Sequence, residues 1–292
     1  MNSKTEISPH HLISHGSRTP LISNPVHKNS GYPGSKAQAG VFHTIIGQMP
    51  PHHIYLEPFF GDGQVFKHKR RAEVSYLYDI NPAVIGRIHD ETGVHARVAD
   101  AYKVLSTFAL SLPLDTVIYC DPPYLLETRG PGRNGRSDGE ISQCRLYYKE
   151  FELAAERKIE ADRKKHAALL TLLQALRCRV LLSGYPSDLY SSQLKNWRCI
   201  EYQTRTRRGT VTECLWCNFD EPEELHDWNF AGQDYRERDD LKRQAFRWLR
   251  KLEKMVPRQR GYLLHLISQR HLCRQAPAIH GATAVGGHAH AA

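Results

Sequence analysis

Acidic residues are in short supply in this chain: 31 Asp and Glu face 40 Lys and Arg, a formal charge of +9 over 292 residues. That balance fits a polyanionic partner such as nucleic acid. Long hydrophobic runs are missing, and no stretch approaches the roughly 20 apolar residues that cross a bilayer. Nor is there the succession of basic, apolar and small residues that marks an export signal. The expectation is a cytoplasmic protein with no membrane partner. Cysteine is present but poorly arranged for metal. Cys214 and Cys217 form one Cys-x-x-Cys on a segment that reads as a strand, where positions three apart face opposite sides, and no second pair follows. His52-His53 and the tail residues His288 and His290 lack ligand spacing with acids or cysteines, so no metal is expected. There is no internal repeat. The first 27 residues and residues 276–292 are rich in Ser, His, Gly and Ala and read as disordered tails.

What is present begins with Val117-Ile118-Tyr119-Cys120-Asp121-Pro122-Pro123-Tyr124, an apolar run that ends in an acid, two prolines and an aromatic ring. Each proline fixes its own φ and pushes the preceding residue toward extended geometry, so the loop after the strand is preset. Asp121 and the Pro122 carbonyl then offer two acceptors side by side. An exocyclic amine on a nucleobase has two hydrogens to donate, and Tyr124 offers a face on which an extruded base can stack. An ordinary strand end with a Pro-Pro turn is the competing reading.

Upstream, Ile54 to Gly63 runs from a short strand into the turn Gly61-Asp62-Gly63 and then a helix from Gln64. Glycines there allow close approach of backbone to a ligand, although this turn departs from the spacing of the dinucleotide fingerprint. The strand Val74 to Tyr78 ends in Asp79, about twenty residues on, where an acid can receive ribose hydroxyls. Asp79 also precedes Asn81-Pro82 and can be read as a helix cap. A third strand ends in Asp100.

Downstream of the Asp121 loop, Arg129-Gly130-Pro131-Gly132-Arg133-Asn134-Gly135-Arg136 is a basic, glycine-rich loop suited to phosphates or a groove, and Tyr147-Tyr148-Lys149 follows. A solvated surface loop is the alternative. A charged helix is expected from about Glu152 to Leu176, its later part carrying Leu169, Leu170, Leu172 and Leu173 as a core-facing stripe. From Tyr235 to Arg274 twelve Lys or Arg meet four Asp or Glu, giving +8, almost the whole net charge. Leu241, Ala245, Trp248, Leu249, Leu252 and Val256 fall there at helical spacing and Pro257 divides two segments, so a basic helical hairpin is expected. We read it as a solvated pair capping the sheet in preference to a direct contact with DNA.

Taken in order, these motifs resemble the N6-adenine DNA methyltransferases of the Dam-like class, particularly its compact phage-type members. Tyr32-Pro33-Gly34-Ser35-Lys36 resembles the amino-terminal motif, Glu57-Pro58-Phe59-Phe60-Gly61-Asp62-Gly63 the S-adenosylmethionine motif, and Asp121-Pro122-Pro123-Tyr124 the catalytic motif. Val180 to Tyr190 and Thr212 to Trp216 are similar to later strands, so the likeness spans residues 28–219. It implies S-adenosylmethionine as cofactor, contacted by Tyr32, by Lys36 near its carboxylate, and by Glu57, Phe59, Gly61 and Gly63. Asp79 would take the ribose hydroxyls and Asp100 the adenine amine. Asp121, Pro122, Pro123 and Tyr124 would hold the target base, and Arg129, Arg133, Arg136, Tyr147 and Lys149 would contact nucleic acid. Phe60 and Asp62 stand where the family commonly has small residues, and must point away from the cofactor.

The expected fold is α/β: a Rossmann-like S-adenosylmethionine-dependent methyltransferase sheet, with a small helical and loop recognition insertion and a basic C-terminal helical extension. Strands are expected at 54–57, 74–78, 95–99, 116–120, 179–184, 199–205 and 211–218, the last two as a hairpin. Residues 28–220 would be the catalytic domain, 125–165 the insertion and 221–275 the extension. The expected function is methylation of adenine N6 in double-stranded DNA, with a restriction endonuclease as a further partner. Methylation of RNA or of cytosine N4 would use the same acceptor geometry, and a catalytically silent DNA-binding protein is the reading from another class. A protein-glutamine methyltransferase fits less well, because that chemistry usually presents Asn in place of Asp121.

Overall fold

The computed structural model describes residues 36, 40–108, 111–128, 145–206 and 209–275, without the side chains of 145–155, 206 and 270–275. Both expected tails, Tyr32, Arg129, Arg133 and Arg136 lie outside the described residues.

Seven strands form one sheet: β1 (Ile54–Glu57), β2 (Val74–Asp79), β3 (Val94–Val98), β4 (Thr116–Cys120), β5 (Arg179–Gly184), β6 (Arg198–Thr206) and β7 (Gly209–Cys217). Their spatial order is β3-β2-β1-β4-β5-β7-β6. The first five pair in parallel, and β7 runs antiparallel between β5 and β6. Every strand lies within two residues of its expected bounds: continuous apolar runs mark the buried strands, while the edge strands β3 and β6 alternate apolar and polar residues.

Helices cover both faces, as parallel strands require. On one side α1 (Val41–Ile46), α2 (Gln64–His68) and α3 (Pro82–Ile85) bury Ile45, Phe66 and Val84 against Tyr55, Val117, Tyr119 and Leu215. On the other, α4 (Ala101–Phe108) and α5 (Arg145–Gln174) bury Leu105, Leu169, Leu170 and Leu173 against Leu56, Ile118, Leu182 and Trp216. The sorting follows the two-residue period of a strand: Val117 and Tyr119 face one layer, Ile118 and Cys120 the other. Cys214 and Cys217 likewise belong to opposite faces and are free thiols. Leu172 of the expected stripe is only partly buried. A short helix, α6 (Asp188–Gln193), follows β5 and is capped by the Ser187 hydroxyl.

Two expectations are corrected. The helix expected from Glu152 begins at Arg145, so Tyr147 and Lys149 stand on α5 and not on a loop. The final helices, α7 (Tyr235–Glu253) and α8 (Pro257–Gln275), do not cap the sheet with the expected stripe. Leu241, Trp248, Leu249 and Val256 are exposed, as are Tyr262, Leu264 and Ile267. What attaches this end of the chain to the body is the segment before α7: Phe230 is buried beside α1, the His226 N–H donates to the Met49 carbonyl at 2.9 Å, and Asp227 accepts the Arg70 N–H at 3.1 Å. Among the described residues no helix is long and apolar enough to cross a membrane, and no cluster of His, Cys, Asp and Glu could hold a metal ion.

Candidate active site

Connections leave β1 and β4 in opposite directions, and a parallel sheet opens a crevice beyond its carboxyl ends at such a reversal. A cleft of about 810 Å³ lies there, lined by Lys36, residues 57–65, Asp79, Asp100 and residues 121–124. All of the described residues expected at the cofactor and the base, from Glu57 to Tyr124, therefore share one cavity.

The glycine turn forms one wall. Gly61 and Gly63 have φ of 52° and 63°, the left-handed region that side chains avoid. A Cβ on Gly63 would lie 2.1 Å from Phe60 Cζ, so the ring beneath and the backbone above both demand glycine. Phe60 is accordingly buried, edge-to-face with Phe66 at 5.9 Å. Asp62 accepts from Gln64 Nε2 at 2.7 Å and lies 3.5 Å from the Lys67 ammonium. Both departures from the family pattern are thus engaged by neighbours of α2.

Asp79 fastens this turn to β2. Its Oδ2 accepts the Gly61 N–H at 2.8 Å and its Oδ1 the Asn81 N–H at 2.8 Å. Asn81, not Asp79, caps α3, accepting the Ala83 N–H at 3.0 Å. Asp100 caps α4 through Oδ1, which accepts from the N–H of Tyr102 at 2.8 Å and of Lys103 at 3.3 Å. Glu57 is fully buried and accepts from the Tyr55 hydroxyl at 2.9 Å. Burial pushes its carboxyl well above the usual range.

Beside β4 the site becomes a charge cluster. The Lys36 ammonium lies 3.2 Å from Asp121 Oδ1 and 3.1 Å from Glu213 Oε2, and also bonds the Tyr124 hydroxyl. That hydroxyl donates to Glu213 Oε2 at 2.9 Å, and the Tyr202 hydroxyl donates to the same oxygen at 3.1 Å. Burial works against the Lys36 cation, but the two carboxylates outweigh it and raise its pKa. Burial raises Asp121, Lys36 opposes the shift, and Glu213 adds to it. The Asp121 side chain is 19% exposed, so its carboxylate still reaches the cleft. The Tyr124 ring stands edge-on to Tyr185 at 4.6 Å.

The far wall comes from α5. Asp162 Oδ2 accepts the Leu126 N–H at 2.8 Å, which fixes the chain just after the Asp121 loop. His166 bonds the Tyr190 hydroxyl at 2.8 Å. Asp162, Tyr185, Tyr202 and Glu213 carry no role in the sequence reading. Glu213 had a signal: it shares strand parity with Leu215 and Cys217, and a carboxylate on that buried stripe needs a partner. The partner is remote in sequence, so the pairing itself was not visible.

Scanned against models of known protein families the chain finds no match, and among curated proteins it finds none. Among solved structures it is similar to a dimethyladenosine transferase from Plasmodium falciparum, at 14% identity and a TM-score of 0.33, covering 62% of each chain. It is also similar to the 23S rRNA methyltransferase ErmE, at 12% identity and TM-score 0.35, over 65% of this chain and 70% of that one. A SAM-dependent methyltransferase from Agrobacterium tumefaciens matches at 13% identity and TM-score 0.37, over 61% of this chain and 60% of the other. This chain thus spans less than two thirds of the first and third of those proteins. Likeness at this level assigns no residue a role; the fold rests on the strand order itself.

Proposed function

We propose that this protein is an S-adenosylmethionine-dependent methyltransferase acting on the N6 amine of adenine in double-stranded DNA. The observation that carries the reading is the Asp121 carboxylate at the end of β4, followed by Pro122 and Tyr124, in one cleft with the glycine turn, Asp79 and Asp100. The donor set suits the cofactor: two carboxylates at adjacent strand ends for hydroxyls and an amine, and a left-handed glycine turn that brings backbone close. Glu57, Phe59, Gly61, Gly63, Asp79 and Asp100 would hold it, with Tyr32 from the amino-terminal motif, whereas Lys36, expected at the cofactor carboxylate, is instead engaged by Asp121 and Glu213. When bound, it supplies an electrophilic methyl group on a positively charged sulfur.

The protein's part is to make a poor nucleophile attack. The N6 lone pair of adenine is delocalised into the ring. Asp121 and the Pro122 carbonyl accept the two N6 hydrogens, favouring a more tetrahedral nitrogen whose lone pair faces the methyl group. Positive charge then develops on N6, where the Asp121 carboxylate stabilises it and is the nearest acceptor for the proton that leaves afterwards. No cysteine nucleophile or catalytic histidine is needed, and alignment supplies much of the rate. Residues 28–220 form the catalytic unit in this reading, and 125–165, with Arg129, Arg133, Arg136, Tyr147 and Lys149, contact the nucleic acid.

The test is long-read sequencing of DNA from cells expressing the protein, scored for N6-methyladenine in sequence context, with purified protein assayed on matched DNA and RNA. Methylated adenine in a defined context supports the reading. Methylated cytosine or RNA alone would move the substrate, and no transfer by folded, cofactor-bound protein would remove the activity.

Tyr124→Ala is expected to weaken retention of the target base by about 1–3 kcal/mol through lost stacking. Because the hydroxyl also binds Lys36 and Glu213, Tyr124→Phe separates the two contributions: it keeps the face and loses only the polar contacts. Equal kinetics for wild type and Tyr124→Ala on duplex DNA would rule out the stacking role.

A further inference from the structure

We propose that Glu213 is the charge-balancing carboxylate of this site, offsetting Lys36 so that Asp121, Lys36 and Glu213 together present one net negative charge to the acceptor amine. The inference rests on the methyl-transfer reading and extends it to a residue on β7. Lys36 lies 3.2 Å from Asp121 and is itself buried. Alone, that contact would neutralise the one carboxylate at the end of β4 and leave nothing to stabilise positive charge moving onto nitrogen. Glu213, also buried, lies 3.1 Å from the same ammonium. Its Oε2 accepts from Lys36, Tyr124 and Tyr202, as an ionised carboxylate does. Two anions share one cation, and the surplus charge faces the cleft through Asp121, the most exposed of the three side chains.

The geometry also explains why a glutamate is tolerated in the apolar stripe of β7. An unpaired buried carboxylate is costly, and here three donors converge on it. Glu213 reaches the reaction through Lys36 and Tyr124 and is therefore a positioning residue.

The experiment uses the full chain, saturating S-adenosylmethionine and duplex DNA in single turnovers, with three variants. Glu213→Gln keeps shape and acceptor but removes the charge; its rate is expected to fall roughly 10- to 100-fold with cofactor affinity within about twofold. Lys36→Met leaves two carboxylates that share one proton, keeps the net negative charge, and is expected to be faster than Glu213→Gln. The double variant, left with Asp121 alone, is expected to recover at least about fivefold over Glu213→Gln. A Glu213→Gln rate within twofold of wild type, or a double variant slower than both single ones, overturns the proposal. Where Glu213→Gln does not fold, Lys36→Met decides: a loss greater than about 100-fold overturns it. A second readout needs no activity. Carbon-13 NMR of the Asp121 carboxylate is expected to move to lower titrating pH in Glu213→Gln, and an unmoved titration overturns the charge balance. A wild-type chain that methylates no nucleic acid overturns the proposed function alone, because the titration reads the charge balance by itself.

Discussion

Replacing Asp121 by alanine is expected to lower methyl transfer by about 10²–10³-fold while leaving the affinity for S-adenosylmethionine within about twofold. The two effects separate because different strand ends carry them. Asp121 closes β4, whereas the glycine turn, Asp79 and Asp100 stand at the ends of β1, β2 and β3. Alanine removes the acceptor for the N6 hydrogens and the charge nearest the reacting nitrogen. It does not touch the bonds by which Asp79 holds Gly61 or Asp100 caps α4. Folding is expected to persist, since Lys36 keeps Glu213 as a partner at 3.1 Å. Asp121→Asn refines the result: the amide keeps one acceptor oxygen but loses the charge, so it is expected to lie nearer to alanine than to wild type. Single-turnover rates with isothermal calorimetry of the cofactor measure both arms. Loss of both together would mean that Asp121 binds cofactor, and retained activity would remove it from the reaction.

Most of the sheet was legible because buried parallel strands announce themselves. Val117 to Cys120 and Val180 to Leu182 are continuous apolar runs, the first closed by Asp121-Pro122 and the second ending two residues on at Gly184. The acids at strand ends were legible for the same reason: Asp79, Asp100 and Asp121 each follow a run, and the crevice of a parallel sheet lies beyond those ends. The start of α5 was not legible. Its first two turns do place Tyr147 and Tyr148 four and three residues before Phe151, a helical spacing, but no capping residue directly before Arg145 and no extended apolar stripe separates them from the basic, glycine-rich segment before. The Lys36–Asp121–Glu213 cluster was invisible for another reason. Its members are 85 to 177 residues apart, and only closure of β7 against β5 brings the third to the first two. The α7 face was misjudged because amphipathic spacing says that a helix has an apolar side but not what covers it.

Two buried histidines far from the reaction are expected to contribute a stability loss of about 4 kcal/mol as pH drops from neutrality to 5, partly offset by the raised carboxyl of Glu57. His52 precedes β1 and His226 follows β7, their rings stacked 3.7 Å apart. His52 Nδ1 bonds the Pro50 carbonyl at 2.8 Å, while its Nε2 is buried with no acceptor among the described residues. Burial, then the nearby Lys69 ammonium, lowers His52 from 6.5 to about 2 and His226 to about 4. Both folded values are depressed, so the unfolded chain takes up protons that the folded chain refuses. The stability they allow is complete above 6.5 and is lost as pH falls toward 4, at ~1.4 kcal/mol per pH unit for each ring. Lys69 extends the trend upward. Burial, then Arg71, lowers it from 10.5 to about 7, so stability is expected to keep rising between pH 7 and 10. Urea unfolding at a series of pH values measures the slope. His226→Gln is expected to remove about half of the contribution of the two rings, and Lys69→Met to flatten the alkaline limb. An acid limb left unchanged by His226→Gln would mean that this imidazole takes up its proton within the fold.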